Sequence, residues 1–524
     1  MKKLAAFLEK TVVWIFVMMY VVIMLLNICF DKIDYYCRKD FFFPIIGFVL
    51  VGILLVFFIF KIYKMKRQSV CKIINFINEH IVVCTIALFL LQVVISINIY
   101  FMTGWDSGIL TANADYVANG QTSELWNWYY SRCPNNSLLT FIYMIFFWVA
   151  EHIGIPSTAV RLLIVIAQCV ISSLTGLLLY CVSKKYLKSI AWAVFAWCVF
   201  VVLVGVSPWV IIPYSDATCL FMPMLLLWIY QSLNQGHTVL KCIAISVIAY
   251  LGYEIKPMVI IILIAMFGAE ILKWMSSEEK KKDWMSIIVM FISLAVTVGI
   301  CKVVSLENMM GFTINQEAEF GMTHYLMMGL NDKHDGVFIK SDADFSESIT
   351  TNEERKKENI RVAKERIKEF GPIGLVKHTI RKSMVNFKDG TFAWWNEGDF
   401  FGIELSIPNN PLTSFLRNIY YDHGSLHMLF KVIVQLFWML VLIGNILQIF
   451  TVVSKEGALN KCHLVIALSL IGLTIFVMIF EARARYLYVY IPIYIISGIQ
   501  GYQFLYNKLN SKISSSEKMK NTRK

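Results

Sequence analysis

Apolar stretches of about 20 residues, each long enough to cross ~30 Å of hydrocarbon, recur along most of this chain. They lie near 11–30, 42–60, 80–101, 158–182, 189–206, 212–231, 238–254, 258–275, 285–304, 427–453, 462–480 and 486–505, with a weaker run at 137–153. Hydrophobic residues make up 58% and charged residues 16% of the 524 positions, against about 25% charged in soluble domains. The sequence therefore describes an all-α polytopic membrane protein. The first run is too long, and too closely followed by others, for a cleaved leader, and no small-residue cleavage pattern follows it, so it reads as a retained span.

A net charge of +12 would suit nucleic acid, but the basic residues gather in short loops between apolar runs, where they act as topology signals. No nucleic-acid partner is expected. The 12 cysteines are scattered, mostly inside apolar runs, with no C-x-x-C pair, so they read as small apolar fillers.

Lys61 to Lys72 carries five basic residues and no acid, which marks it as cytoplasmic. The loops around Lys185, Lys280 and Lys455 cast weaker votes, and the tail from Lys508 has six basic residues against one acid. All of these share one side only if 137–153 does not cross. That run is accordingly expected as a re-entrant or juxtamembrane helix beside about twelve transmembrane helices, with both termini cytoplasmic in a cell membrane. The chain then divides into two N-terminal helices (1–79), a transmembrane core (80–306) with a first outer loop at 102–136, an extracytoplasmic region at about 307–425, C-terminal helices (426–506) and a basic tail (507–524). The region 307–425 holds 18 of the 36 acidic residues and 4 of the 9 histidines, as a water-exposed segment would. Within it, 352–370 has Asn352 as a plausible N-cap, acids in the first turn and Gly-Pro at the exit, which predicts a helix with a thin apolar stripe at Ile360, Ala363, Ile367 and Phe370.

Ionisable groups stand out against so apolar a background. Asp106, in Gly-Trp-Asp-Ser-Gly, follows the run 80–101 and opens a segment with apolar residues at Ile109, Leu110, Ala114 and Val117 that ends at Gly120. Either it is a loop aspartate capping that helix, or it is a general base kept ionised by the helix N-terminus. Asp115 is the competing acid. Trp126, Trp128, Tyr129 and Tyr130 suit an interfacial aromatic belt or stacking on a sugar ring, and Asn135 and Asn136 offer amides to a polyol. Asp216, beside Pro213, Tyr214 and Ser215, stands at the mouth of a span; Glu254 and Lys256 either pair with each other or serve a site. In Glu481-Ala-Arg-Ala-Arg-Tyr486, Arg483 and Arg485 either snorkel to the interface or bind a phosphate bidentately. Acids and cations thus collect at one depth on the outer face.

In this order, Gly-Trp-Asp-Ser-Gly, the stretch Tyr129 to Tyr143, Pro213 to Phe221, Gly252 to Ala265 and Glu481 to Pro492 resemble the membrane-embedded GT-C superfamily glycosyltransferases. The similar branch is family 39, which includes protein O-mannosyltransferases and the bacterial lipid A aminoarabinose transferase. His324 to Asn331 and Lys388 to Phe401 look like outer-loop segments of bacterial members. The resemblance covers roughly 80–500. It implies a polyprenyl-phosphate-linked sugar donor, inversion at the anomeric carbon, and an extracytoplasmic active site. In that reading Asp106 is the base and Asp216 the second acidic position. Lys256 and Arg485 hold the donor phosphate, while Asp115, Asn135, Asn136, Tyr214, His324, Arg483 and Tyr486 are further substrate contacts. The acceptor is a glycan, a teichoic acid or a protein. Asp106-Ser107 replaces the acidic pair of the mannosyltransferase branch, and its soluble sugar-binding insert is missing, which weakens the case for a protein acceptor. No cofactor or metal is expected, with His324 and His334 keeping a metal open. The alternatives are a transporter or flippase for lipid-linked oligosaccharide, which would keep polar groups near the midplane, and a glycan polymerase or ligase.

Overall fold

The computed structural model describes residues 1–30, 47, 49–55, 67–121, 124–233, 235–277, 280–394, 403–404, 410–453 and 460–521. The chain is helical throughout these residues apart from one short antiparallel pairing, in which Phe101 and Met102 face Glu404 and Ile403. Among the described residues, eight helices are long and apolar enough to cross a membrane: Lys2–Cys29, Ile81–Ile99, Ser157–Leu187, Thr238–Ile255, Pro257–Ser276, Trp284–Met309, His427–Thr451 and Lys461–Ile479. A ninth is obtained if the bent pair Glu124–Arg132 and Pro134–His152 counts as one span.

The difference from twelve has local causes. The run 42–60 lies largely outside the described residues. A 3-10 turn at Pro208–Ile211 precedes the run 212–231, and within it Pro213 and Pro223 each lack a backbone N–H, so that a short helix (Ser215–Thr218) and the 11-residue helix Phe221–Gln231 follow one another. That last helix is about 16 Å long, half a bilayer. The run 189–206 forms the short helix Ile190–Gly205 with a π turn at Val201–Gly205. The final run enters through a 3-10 turn, Ala484–Tyr490, and its helix Ile491–Asn521 carries Ser497, Gln500 and Gln503 among its apolar residues.

The weak run 137–153 is the 16-residue helix Ser137–His152, about 24 Å long. It meets Glu124–Arg132 at 106°, the geometry of a broken span or a re-entrant pair. Its inner face packs against the helix Asp106–Ala118, where Leu110 and Ala114 are fully buried.

Buried polar side chains clasp the bundle. The Gln92 amide donates to Ser172 Oγ (2.8 Å) and to the Gly205 carbonyl (2.9 Å), while Ser173 donates to Gln92 Oε1 (2.8 Å). Inside hydrocarbon such bonds tie helices whose surfaces are otherwise as apolar as lipid. His427–Ile446 and Ile491–Asn521 cross where Gly444 meets the Gly498 and Gly501 backbone, an approach that a Cβ on any of the three would block. The first helix lies within the bundle: Tyr20 donates to Tyr494 (2.9 Å) and shares a hydrogen bond with Thr474 (3.2 Å).

In the 307–425 region, the helix anticipated at 352–370 runs Asn352–Phe387 with a break at Gly371 (φ 57°), where Gly-Pro was expected to end it. Its N-cap is Thr351, which accepts from the Glu354 amide, rather than Asn352. Ala363 is buried, while Ile360 and Ile367 are exposed. Arg355 and Arg366 tie this helix to its surroundings, the latter through a two-pronged ion pair with Asp342 (2.7 and 2.8 Å). Lys388 to Trp394 is tucked into the core, with Trp394 Nε1 donating to the Tyr420 carbonyl (2.8 Å). Residues 395–401 of the same motif lie outside the described residues.

Candidate functional site

Four breaks in the helical pattern converge at one end of the bundle. Asp106 is the first residue of the helix Asp106–Ala118, Asp216 lies in Ser215–Thr218, Lys256 joins Thr238–Ile255 to Pro257–Val259, and Arg485 sits in the turn Ala484–Tyr490. Each polar side chain is therefore delivered where a helix starts or stops. Ser107 fastens two of these segments, its Oγ donating to the Pro213 carbonyl (3.1 Å). Gly108 is required one residue later, because a Cβ there would run into the Thr103 carbonyl oxygen.

The Asp106 carboxylate does not cap its own helix. Tyr129 donates to Oδ1 and Tyr214 to Oδ2, each at 3.1 Å, and Asn136 Nδ2 donates to the Tyr129 oxygen at 2.7 Å. Asp106 keeps partial access to solvent.

Asp216 is 2% exposed and bridges two cations: Lys256 pairs with Oδ1, and Arg485 Nη1 lies 3.4 Å from Oδ2. Lys256 thus pairs with Asp216, not with Glu254. Burial draws the Lys256 ammonium below its ordinary range, with Asp216 working against that fall. Aromatic faces complete the surroundings of the cations. Lys256 lies over the Tyr486 ring (4.8 Å), and Arg485 lies over Trp105 (4.7 Å), Tyr214 (5.3 Å) and Tyr486 (5.6 Å).

Glu481 extends the cluster. Arg483 Nε donates to its Oε1 (2.7 Å) and Tyr486 to its Oε2 (2.6 Å). Burial by itself would raise this carboxyl; Arg483, Tyr486 and Arg485 outweigh burial and hold it below its ordinary range. Lys256 and Arg485 thus share Asp216, Arg483 takes Glu481, and Asp106 is held by phenols.

The structure therefore joins Asp106, Asn136, Tyr214, Asp216, Lys256, Arg483, Arg485 and Tyr486 into one network. It does not bring in three other expected residues. Asp115 accepts from Ser157 (2.9 Å) and pairs with Arg161 (3.7 Å), which anchors its helix to Ser157–Leu187 more than two turns from Asp106. Asn135 touches the network only at its edge, its Nδ2 donating to Asn136 Oδ1 at 3.5 Å. His324 is buried in the 307–425 region, stacked on Phe320 and hydrogen-bonded to Ser346 (2.7 Å), and burial lowers its pKa to about 4. Trp105 is not singled out by the sequence, Tyr129 is read there only as a belt or sugar-stacking aromatic, and Glu481 only as a neighbour of the arginines. Their signal was adjacency to the motifs, which an interfacial aromatic belt mimics. Among the described residues, no group of three or more His, Cys, Asp or Glu could hold a metal ion.

A bundle of apolar helices with a charged, aromatic-lined cluster at one end defines an integral membrane protein in contact with the lipid bilayer. Residues 4–503 match the family described as conserved hypothetical integral membrane protein, and the chain belongs to that family. No curated protein and no solved structure matches it.

Proposed function

We propose that the protein is a membrane glycosyltransferase that moves a sugar from a polyprenyl-phosphate donor to an acceptor hydroxyl at the extracytoplasmic face. The observation that carries this reading is the adjacency of a partly exposed carboxylate, Asp106, to two buried cations, Lys256 and Arg485, through the shared side chain of Tyr214. Such a transfer needs a base for the acceptor and positive charge for the phosphate that leaves. The charge pattern of the loops supports an extracytoplasmic position.

Asp106 takes the acceptor proton, and the acceptor oxygen attacks the anomeric carbon. The bond from that carbon to the phosphate oxygen breaks, and its electron pair leaves with polyprenyl phosphate. Lys256 and Arg485, held by Asp216, receive the phosphate. Asp216 has both oxygens committed to cations, so its part is to preorganise them. A carrier for lipid-linked oligosaccharide would hold its polar groups near the membrane midplane, often at paired broken helices of an inverted repeat, and the sequence shows no such repeat.

The test is the composition of surface glycans in cells that lack the protein and in cells carrying Asp106→Asn. Loss of the same sugar component in both, with the variant at normal level, is expected. Unchanged glycans in both would sink the reading.

A further inference from the structure

Among the described residues of the cluster, Asp106 differs from Asp216 and Glu481 in one respect. Those two rest on cations, whereas both oxygens of Asp106 are held by phenols. A cation fixes a carboxylate but also compensates its charge and blunts its basicity. A phenol fixes direction without bringing a formal positive charge, and so restrains a carboxylate less than a cation does.

The support behind Tyr129 is specific. The turn Pro134–Asn136 lies at the 106° bend between Glu124–Arg132 and Ser137–His152, and this bend folds Asn136 back over Tyr129. The Asn136 amide N–H fills an acceptor position on the Tyr129 oxygen (2.7 Å), so the phenol hydrogen points to Asp106. Asn136 is 3% exposed and Tyr129 6%, so water does not compete for the bond between them. The Tyr129 ring packs edge-on against Tyr130 at 5.1 Å, which fixes the phenol axis.

We propose that Asn136 and Tyr129 form a positioning relay for Asp106, with Tyr214 as an independent second clamp on the opposite oxygen. This rests on the reading of Asp106 as the base. The relay aims the carboxylate at the acceptor hydroxyl and brings no formal positive charge to it before the proton arrives. Neither relay residue bonds to Lys256 or Arg485, the cations assigned to the donor phosphate, so the proposal separates transfer from donor binding.

Two readouts on the full-length protein test it: the sugar component lost on deletion, measured in cells with matched protein levels, and the thermal shift given by undecaprenyl phosphate on purified protein. Tyr129→Phe and Asn136→Ala should each lower the component about tenfold, as loss of one orienting hydrogen bond would. The double variant should fall no further than Tyr129→Phe alone, because Asn136 acts through the phenol. Tyr214→Phe should compound with Tyr129→Phe. In Tyr129→Phe, Asn136→Ala and their double variant the undecaprenyl phosphate shift should match wild type, a result that general misfolding would not give. Phe keeps the ring packing; should Tyr129→Phe not accumulate, Asn136→Ala reads the same relay.

Wild-type transfer in Tyr129→Phe while Asp106→Asn abolishes it would overturn the relay and leave the base standing. A multiplicative loss in the Asn136/Tyr129 double variant would also overturn it. Unimpaired transfer in Asp106→Asn would remove the base, and the relay with it.

Discussion

Asp216 and Lys256 form an ion pair in which both partners are withdrawn from solvent, at 2% and 5% exposure. Arg485 shares the same carboxylate from the other side. The two partners are therefore not equivalent: removing the lysine leaves Asp216 with an arginine, while removing the carboxylate leaves two buried cations facing each other.

Asp216→Asn should consequently destabilise the fold by about 3–5 kcal/mol, the range for breaking a buried pair, and Lys256→Gln by clearly less. Thermal unfolding in detergent measures the difference. Equal losses would mean that Arg485 does not compensate the carboxylate.

Arg485 presents a planar fork next to Trp105 and Tyr214, which a lysine cannot reproduce. Arg485→Lys and Arg485→Gln are both expected to weaken undecaprenyl phosphate binding at least tenfold, read by titration of the purified protein. Full affinity in the lysine variant would show that charge alone suffices there.

Gly108→Ala should act on Asp106 without touching it. The added methyl meets the Thr103 carbonyl, so either the turn before the helix or the helix start must shift. Transfer is expected to drop at least tenfold, since small misplacement of a reacting group is costly. A variant with wild-type glycan would show that this turn tolerates the displacement.

His324 supplies a pH dependence. It is buried neutral against Ser346, with its pKa lowered to about 4 from an ordinary 6.5. The unfolded chain binds the proton more readily, so the stability held by the neutral ring is complete above pH 6.5 and is lost as pH falls toward 4. The wild-type unfolding temperature should fall over that window, and His324→Gln should fall less. Parallel curves would assign the acid sensitivity to other groups.

How much of this could be read in the sequence follows from contrast. Asp106, Asp216, Lys256 and Arg485 stand out because ionisable side chains are rare and expensive beside so many apolar ones. Tyr129 and Trp105 do not, because an aromatic residue near a helix end fits an interfacial belt equally well. The choice of Asp216 over Glu254 as partner of Lys256 depends on how Ser215–Thr218 packs against Ala484–Tyr490, a contact 269 positions apart in the Asp216–Arg485 pair. Asp115 was a reasonable rival until Arg161, more than forty positions on, was seen to claim it. The helix at 352–370 was legible from its caps, whereas the run 212–231 looked continuous by hydropathy and is broken by its prolines.

The placement of the helix Lys2–Cys29 has a consequence for biogenesis. Its Tyr20 bonds to Thr474 and Tyr494, and the Lys388 ammonium donates to the Phe30 carbonyl (2.6 Å). Tyr20 thus meets its polar partners only after more than 450 further residues have been synthesised. Until then Tyr20 must be sheltered by lipid headgroups or by an insertion chaperone, because closing so long a loop cannot precede the helices that close it. Final assembly of this bundle is in that sense a post-translational event, set by the arrival of its last two helices.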